Sequence, residues 1–230
     1  MLEIFENRPV GIETERIQSI GVAFALVGID PSRNGENALD PKIRLVLERK
    51  TKPETEKTAG QISCPGETQK IGENLASNIL GAVAEVTDND FLIRNNLFFM
   101  PSSYIPGKVS IKGNPVDLFV AVYEGSLAVP FQPVDQNDVM SYGWMTVNEI
   151  NEVARRDPEK VRKFTRQIAK METSERPIGR VVAEYFHSPL SRIPFSTIFP
   201  SGFSSIRQFH QERESGKIDI RVFERRASQK

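Results

Sequence analysis

Apolar and polar positions along this chain recur with periods that separate strands from helices. Residues 17–29 are apolar and rich in β-branched side chains, and Asp30-Pro31 closes them with a turn signal, so they predict a strand. A loop of Ser32, Asn34, Gly35 and Asn37 follows. From Lys42 to Lys50, Ile43, Leu45 and Leu47 fall on one side and Lys42, Arg44, Val46 and Glu48 on the other. That alternation predicts a half-buried strand lying beside the first. Residues 53–58 are polar and read as a connection. Residues 60–64 are strand-like, and Pro65-Gly66 is expected to stop them.

The period then changes. Leu75, Ile79, Val83 and Val86 recur at helical spacing and predict a helix over residues 73–87 with one apolar stripe. Gly81 in its middle costs about 1 kcal/mol against alanine. Asp88-Asn89-Asp90 is expected to close it, with Asn89 able to take a left-handed cap conformation. Strands are predicted near 91–99 and 116–123, and residues 101–115 read as a hairpin or a loop over the site. A short strand at 142–145 leads into Thr146-Val147-Asn148-Glu149, a capping-box pattern. Asp157-Pro158 signals a further helix start, with Val161, Phe164, Ile168 and Met171 as its buried stripe. Ile178, Val181, Val182 and Tyr185 predict a third helix after Pro177. Beyond Pro189 regular pattern weakens, although Ile218, Ile220 and Val222 alternate with charges as a late strand would. Strands, one central helix, more strands and then helices describe an α/β sandwich.

Composition narrows the function classes. Lys+Arg and Asp+Glu both number 30, so nothing global pulls the chain toward nucleic acid or an anionic membrane. No apolar run approaches the ~20 residues of a membrane span. The N-terminal residues lack the basic segment and apolar core of a secretory signal. Cys64 is the single cysteine and can form neither an internal disulfide nor a cysteine-rich zinc site. These features predict a soluble protein of a reducing compartment, the cytoplasm.

The stretch with most chemical content is Pro65-Gly66-Glu67-Thr68-Gln69-Lys70-Ile71-Gly72-Glu73 and the helix after it. It resembles, without a gap, the loop and helix of the Nudix box, G-x5-E-x7-R-E-U-x-E-E-x-G-U with U apolar. Pro65-Gly66 stands where that family has Pro-Gly, Gly72-Glu73 at its Gly-Glu, Val83 at an apolar position and Glu85 at the first glutamate of the pair. Several positions depart from it. Glu67 replaces the opening glycine, Gly81 the arginine, Ala82 the glutamate after it, Val86 the second glutamate of the pair, and Asp88 the closing glycine. Downstream, Val116 to Gly125 is similar to the family's central strand, and Asp138-Val139, Trp144-Met145-Thr146 and Glu149-Ile150 to its tryptophan strand and the helix that follows. The resemblance covers roughly residues 17–172.

It implies an α/β/α sandwich with a mixed sheet over residues 1–172, with residues 173–230 as a C-terminal helix and irregular tail packed on it. It also implies catalytic and magnesium-binding roles for Glu73 and Glu85, and ligand contacts at Gly66, Glu67, Gly72 and Asp138. Magnesium takes oxygen ligands, and positions 82, 85 and 86 share one helix face. Here that face reads Ala82, Glu85, Val86, so one carboxylate of the cluster is left.

Each candidate has a plainer reading. Glu73 sits where a helix dipole favours negative charge, and Glu85 can be a solvated surface glutamate. Asp88 and Asp90 read first as helix-terminating residues. His187 and His210 lie far apart with no cysteine partner. Cys64 reads as a buried thiol and Trp144 as core. The basic region Arg155, Arg156, Arg162, Lys163, Arg166 and Lys170 reads as a solvated face before a phosphate or RNA contact. Phe195, Phe199 and Phe203 read as packed against the domain. Three functions remain open. The first is binding of a nucleotide-like or diphosphate ligand with little or no standard hydrolysis. The second is an atypical magnesium-dependent hydrolase of nucleoside diphosphate derivatives. The third is an interaction or scaffold module with a protein partner or a homodimer. A membrane role is not expected, and nucleic acid is an unlikely partner.

Overall fold

The structure is a computed structural model, and it describes residues 21–29, 44–50, 60–68, 75–86, 95–111, 113–125, 127, 139–197 and 208. Nine strands among them form one sheet: β1 (Gly21–Ile29), β2 (Arg44–Lys50), β3 (Ile62–Ser63), β4 (Gly66–Thr68), β5 (Leu97–Phe99), β6 (Tyr104–Ile111), β7 (Asn114–Glu124), β8 (Val139–Thr146) and β9 (Ile193–Pro194). The order runs β3-β2-β1-β7-β5-β9, with β4 also on β1, β6 on β7 and β8 on β2. The helices are α1 (Leu75–Val86), α2 (Val147–Arg156), α3 (Lys163–Ser174) and α4 (Pro177–His187).

The centre is the parallel pair β1–β7, in register from Val22 opposite Asp117 to Ile29 opposite Glu124. All nine residues of β1 are buried, as a parallel strand covered on both faces requires. Side chains alternate between two cores. Ala23, Ala25 and Val27 of β1, with Val116, Leu118, Val120 and Val122 of β7, pack against α2, α3 and α4 through Ile150, Phe164, Ile168, Ile178, Val181 and Tyr185. Val22, Phe24 and Leu26, with Phe119, Ala121 and Tyr123, pack against α1. The layers are therefore helix, mixed sheet, helices.

Several local expectations hold. Thr146 Oγ1 accepts from the Glu149 amide at 3.1 Å while Glu149 Oε2 accepts from the Thr146 amide at 2.6 Å, the reciprocal pair of a capping box. Residues 101–115 are a hairpin rather than a loop over the site: after a 3-10 turn at Pro101–Ser103, β6 pairs with β7. The register slips between Ile105 and Val109, and Asp117 closes that bulge by accepting from Tyr104 Oη and the Gly107 amide, both at 2.7 Å.

Others are corrected. Pro65-Gly66 does not stop the extended chain. The Pro65 carbonyl accepts from the Phe24 amide at 2.8 Å, and β4 continues by pairing with β1 after β3 has paired with β2. Pro-Gly here transfers the strand from one partner to the next. Gly21 permits this close approach, since a Cβ there would lie 2.3 Å from the Glu67 carbonyl oxygen. The strand predicted over 91–99 is confined to Leu97–Phe99, after a helical turn at 95–96, with 91–94 outside the described residues.

Asp157-Pro158 opens a 3-10 turn, Pro158–Lys160, with no side-chain cap, and α3 begins only at Lys163. Val161 is 1% exposed and extended, and it bridges Ile62 while the Arg162 amide bonds the Ile62 carbonyl at 2.9 Å. Burying Val161 against β3 breaks what the sequence reads as one helix.

α3 and α4 are joined through Glu172, 9% exposed, whose carboxylate accepts from the Ile178 and Gly179 amides, both at 2.8 Å. It supplies acceptors for a helix start that has no side-chain cap of its own. Beyond α4, β9 pairs with β5 and Phe195 enters the α1-side core against Phe99. Residues 17–20, Asp88-Asn89-Asp90, His210, Phe199, Phe203 and 217–223 lie outside the described residues.

Glu172→Gln should destabilise the protein by about 1–3 kcal/mol, because one amide loses its acceptor and meets a donor instead. Burial pushes the Glu172 carboxyl above its ordinary range, against the pull of the two amides and of Arg176 and Arg180. A raised folded pKa means that the native state holds the proton longer, so this contribution is full below the ordinary glutamate range and falls as pH rises through the folded value. The gap between wild type and variant should therefore narrow across that window in urea denaturation at stepped pH.

Candidate functional site

The β4–α1 segment carries the family resemblance, so the site is built from it. Gly66 pairs with Ala23 and Glu67 with Val22, which sets both residues into the sheet. Opposed residues share a face, so Glu67 lies on the α1 side with Val22 and, one strand further, Asp117. Glu67 Oε1 accepts from the Thr68 amide at 2.9 Å. Gly72, Glu73 and Asp138 lie outside the described residues, as does the Glu85 side chain, although Glu85 itself is in α1. Of the expected site residues, Gly66 and Glu67 are thus brought together on β4.

α1 differs from the amphipathic helix that its sequence predicts. Ile79 and Val83 of the expected stripe are buried, but so are Leu80 and Ala84, more than a quarter-turn away. A helix buried on all sides belongs to the core. Ala82 and Val86 are both 0% exposed and join the cluster of Val22, Phe24, Leu26, Leu97 and Phe119. At positions 82 and 86, the helix face on which magnesium-binding glutamates are expected is therefore closed apolar packing. Among the described residues no group of three or more His, Cys, Asp or Glu side chains is placed to hold a metal ion. A hydrated magnesium ion needs oxygen ligands and room for water, and the enclosed methyl and isopropyl groups at 82 and 86 offer neither. Positions 82 and 86 do not fit the ion; the Glu85 side chain lies outside the described residues.

An aromatic group borders the same core. Trp144, expected in the core, is partly exposed on β8 and stacks on Tyr123 at 5.9 Å. It crosses Gly28, where a Cβ would meet its ring at 2.4 Å and Leu127 at 2.5 Å. Burial raises the Tyr123 hydroxyl above its ordinary range. Cys64 is 0% exposed and its amide bonds Thr165 Oγ1, in keeping with a structural thiol. In the basic region, Arg155 and Arg156 pair with Glu152 and Lys160 with Asp157, all on the surface, while Arg162 lies over the Phe164 ring. Such exposed pairs are characteristic of a solvated face.

Sequence reasoning passed over two polar side chains of the α1-side core, Asn78 and Asp117, which are 3% and 8% exposed. Each had a signal. Asn78 stands four residues before Ala82 on a largely apolar helix, and Asp117 interrupts the apolar run of β7.

No protein-family model and no curated protein matches the chain. Solved structures do. The chain is similar to the Nudix hydrolase RenU of M. smegmatis, at 9% identity and TM-score 0.46, over 70% of this chain and 86% of that one. It is similar to a C. elegans Ap4A hydrolase in a binary complex, at 12% and 0.43, over 66% and 96%. It is likewise similar to the MutT protein of Methanosarcina mazei Go1, at 11% and 0.40, over 72% and 99%. No helix among the described residues is long and apolar enough to cross a membrane.

Two substitutions test this packing. Ala82→Glu should cost about 3–5 kcal/mol in urea denaturation, the scale of an uncompensated buried charge, and magnesium should not restore the loss. Gly28→Ala should cost about 1–3 kcal/mol by overpacking. Because Trp144 is the single tryptophan, its displacement should appear directly as a shift in emission. In architecture the chain is an α/β protein with a mixed sheet flanked by helices on both faces.

Proposed function

We propose that this chain is a Nudix-fold protein that binds a nucleotide-like or diphosphate ligand and carries out little or no standard Nudix hydrolysis. The observation that carries the reading is the full enclosure of Ala82 and Val86 on α1. Standard Nudix hydrolysis relies on divalent metal to bridge phosphates and activate water, and this helix face is committed to core packing instead. The scaffold around it is kept in the order of the sequence resemblance: β4, α1, β7, β8 and the capped α2. A kept scaffold with an altered metal face favours recognition over turnover, although fold alone does not fix function. The single, buried cysteine suits a reducing cytoplasm.

The test is isothermal titration of the purified chain against a panel of nucleoside diphosphate derivatives, with phosphate release followed in magnesium and in manganese. Saturable binding without turnover is the expected result. Metal-dependent turnover that Glu85→Gln abolishes would replace this reading with that of an active, atypical hydrolase. No binding to any member of the panel would leave the interaction-module reading, which light scattering on the full chain then addresses.

A further inference from the structure

The balanced charge of the whole chain covers a local segregation on α3. That helix buries Phe164, Thr165, Ile168, Ala169 and Glu172, so its opposite arc faces outward. Arg162, at the N-cap, Arg166 and Lys170 follow one another at i, i+4 and i+8, and Lys163 stands seven residues before Lys170. At 3.6 residues per turn all four fall within about 100° of the outward arc. Arg162 and Arg166 are half-buried there, and Lys163 and Lys170 are exposed. The one acidic residue of α3, Glu172, lies on the buried side. Other basic side chains nearby have partners: Arg155 and Arg156 pair with Glu152, Lys160 with Asp157 and Lys108 with Glu175. Among the described residues none of the four on the arc forms an ion pair, not even with Glu159 in the exposed turn before α3.

Two of the four are nonetheless held in place. Arg162 lies over the Phe164 ring at 5.3 Å, and Arg166 Nε is buried with no hydrogen-bond partner among the described residues. An enclosed, unpaired donor is unfavourable and calls for an explanation. Arg162 and Lys163 also stand at the start of a helix that has no side-chain cap, where the helix dipole opposes positive charge. Like charges at i, i+4 repel as well. Stability does not account for such a row, and an anion laid along it would offset each of these effects.

From this we infer that the outward arc of α3 binds the sugar–phosphate backbone of a single-stranded nucleic acid, without regard to base sequence, through Arg162, Lys163, Arg166 and Lys170. Cations at i, i+4 stand about 6 Å apart along the helix axis, comparable to the step between phosphates of an extended strand. One line of charge about 12 Å long matches one strand better than a duplex. The other outward positions are Gln167, Thr173 and Ser174, while Met171 packs against the core. The arc therefore lacks the apolar or aromatic centre of a protein interface, whereas nucleic-acid interfaces are polar and strongly positive. α3 lies across the sheet from α1, so the inference stands apart from the ligand-binding reading above.

The experiment follows fluorescence anisotropy of a fluorescein-labelled oligo(dT) titrated with the full chain at stepped salt concentrations, beside thermal melts of each protein. Wild type should bind saturably, with log affinity falling against log salt at a slope of about −2 to −3, as three or four phosphate contacts on a single strand require. Arg166→Gln combined with Lys170→Gln should lose at least 10-fold in affinity and flatten that slope by about 1.4, with Tm unchanged or higher. Arg155→Gln combined with Arg156→Gln removes the same charge from α2 and should leave affinity and slope as in wild type. If the first double variant does not fold, Lys163→Gln with Lys170→Gln, both at exposed positions, carries the same comparison. Equal losses in the α2 and α3 variants would reduce the effect to net charge and overturn the inference. Equally tight binding of a labelled polyglutamate peptide would overturn it in favour of an acidic protein partner, and no binding of oligo(dT) at low salt would overturn it outright.

Discussion

Everything in this fold depends on the parallel pairing of β1 with β7. Eight consecutive residue pairs hold the two strands together, and every residue of that stretch but Glu124 is buried. Because their side chains alternate, one ladder feeds two cores, and each helical layer is fixed by the same backbone hydrogen bonds. A one-residue slip would exchange Phe24 and Phe119 with Ala25 and Val120 and leave neither layer able to close. The aromatic row shows how tightly the α1 side is specified: Phe24 stacks on Phe119 at 6.0 Å, Phe119 meets Phe99 at 6.1 Å, and Phe99 meets Phe195 at 6.4 Å. Three strands and the segment after β9 are joined through one set of rings.

That geometry settles what α1 can be. β4 wedges onto β1 where β2 leaves it, and the chain then places α1 over β1 and β4. Small residues at 81, 82 and 84 suit such close placement, and all three are buried. Glycine at 81 weakens the helix intrinsically, so its stability comes from tertiary packing. Every described side chain of this helix, 78–84 and 86, is turned into packing rather than toward water.

Much of this was legible in the sequence, for identifiable reasons. Apolar pattern located β1, β7, α1, α3 and α4, because burial on one or two faces imposes it directly, while α2 was read from its capping box. The Thr146–Glu149 cap was legible because its two hydrogen bonds require those residue types at that spacing. What escaped depended on partners distant in sequence. Asp157-Pro158 has the local form of a helix start, but Val161 is drawn away by Ile62, nearly a hundred residues earlier. Pro65-Gly66 looks like a stop because the strand waiting to pair with the next residues lies some forty positions upstream. The 79–83–86 stripe was read correctly, but its period cannot show that the opposite face of α1 is buried as well.

The same limit applies to the site. Ala82 and Val86 stand where the sequence resemblance would place two acids, but the sequence shows only that those acids are absent. The structure adds what replaced them: enclosed apolar contact, with a single amide kept among it. An apolar side chain at position 78 would complete that packing without leaving a donor unpaired, and asparagine there weakens the core.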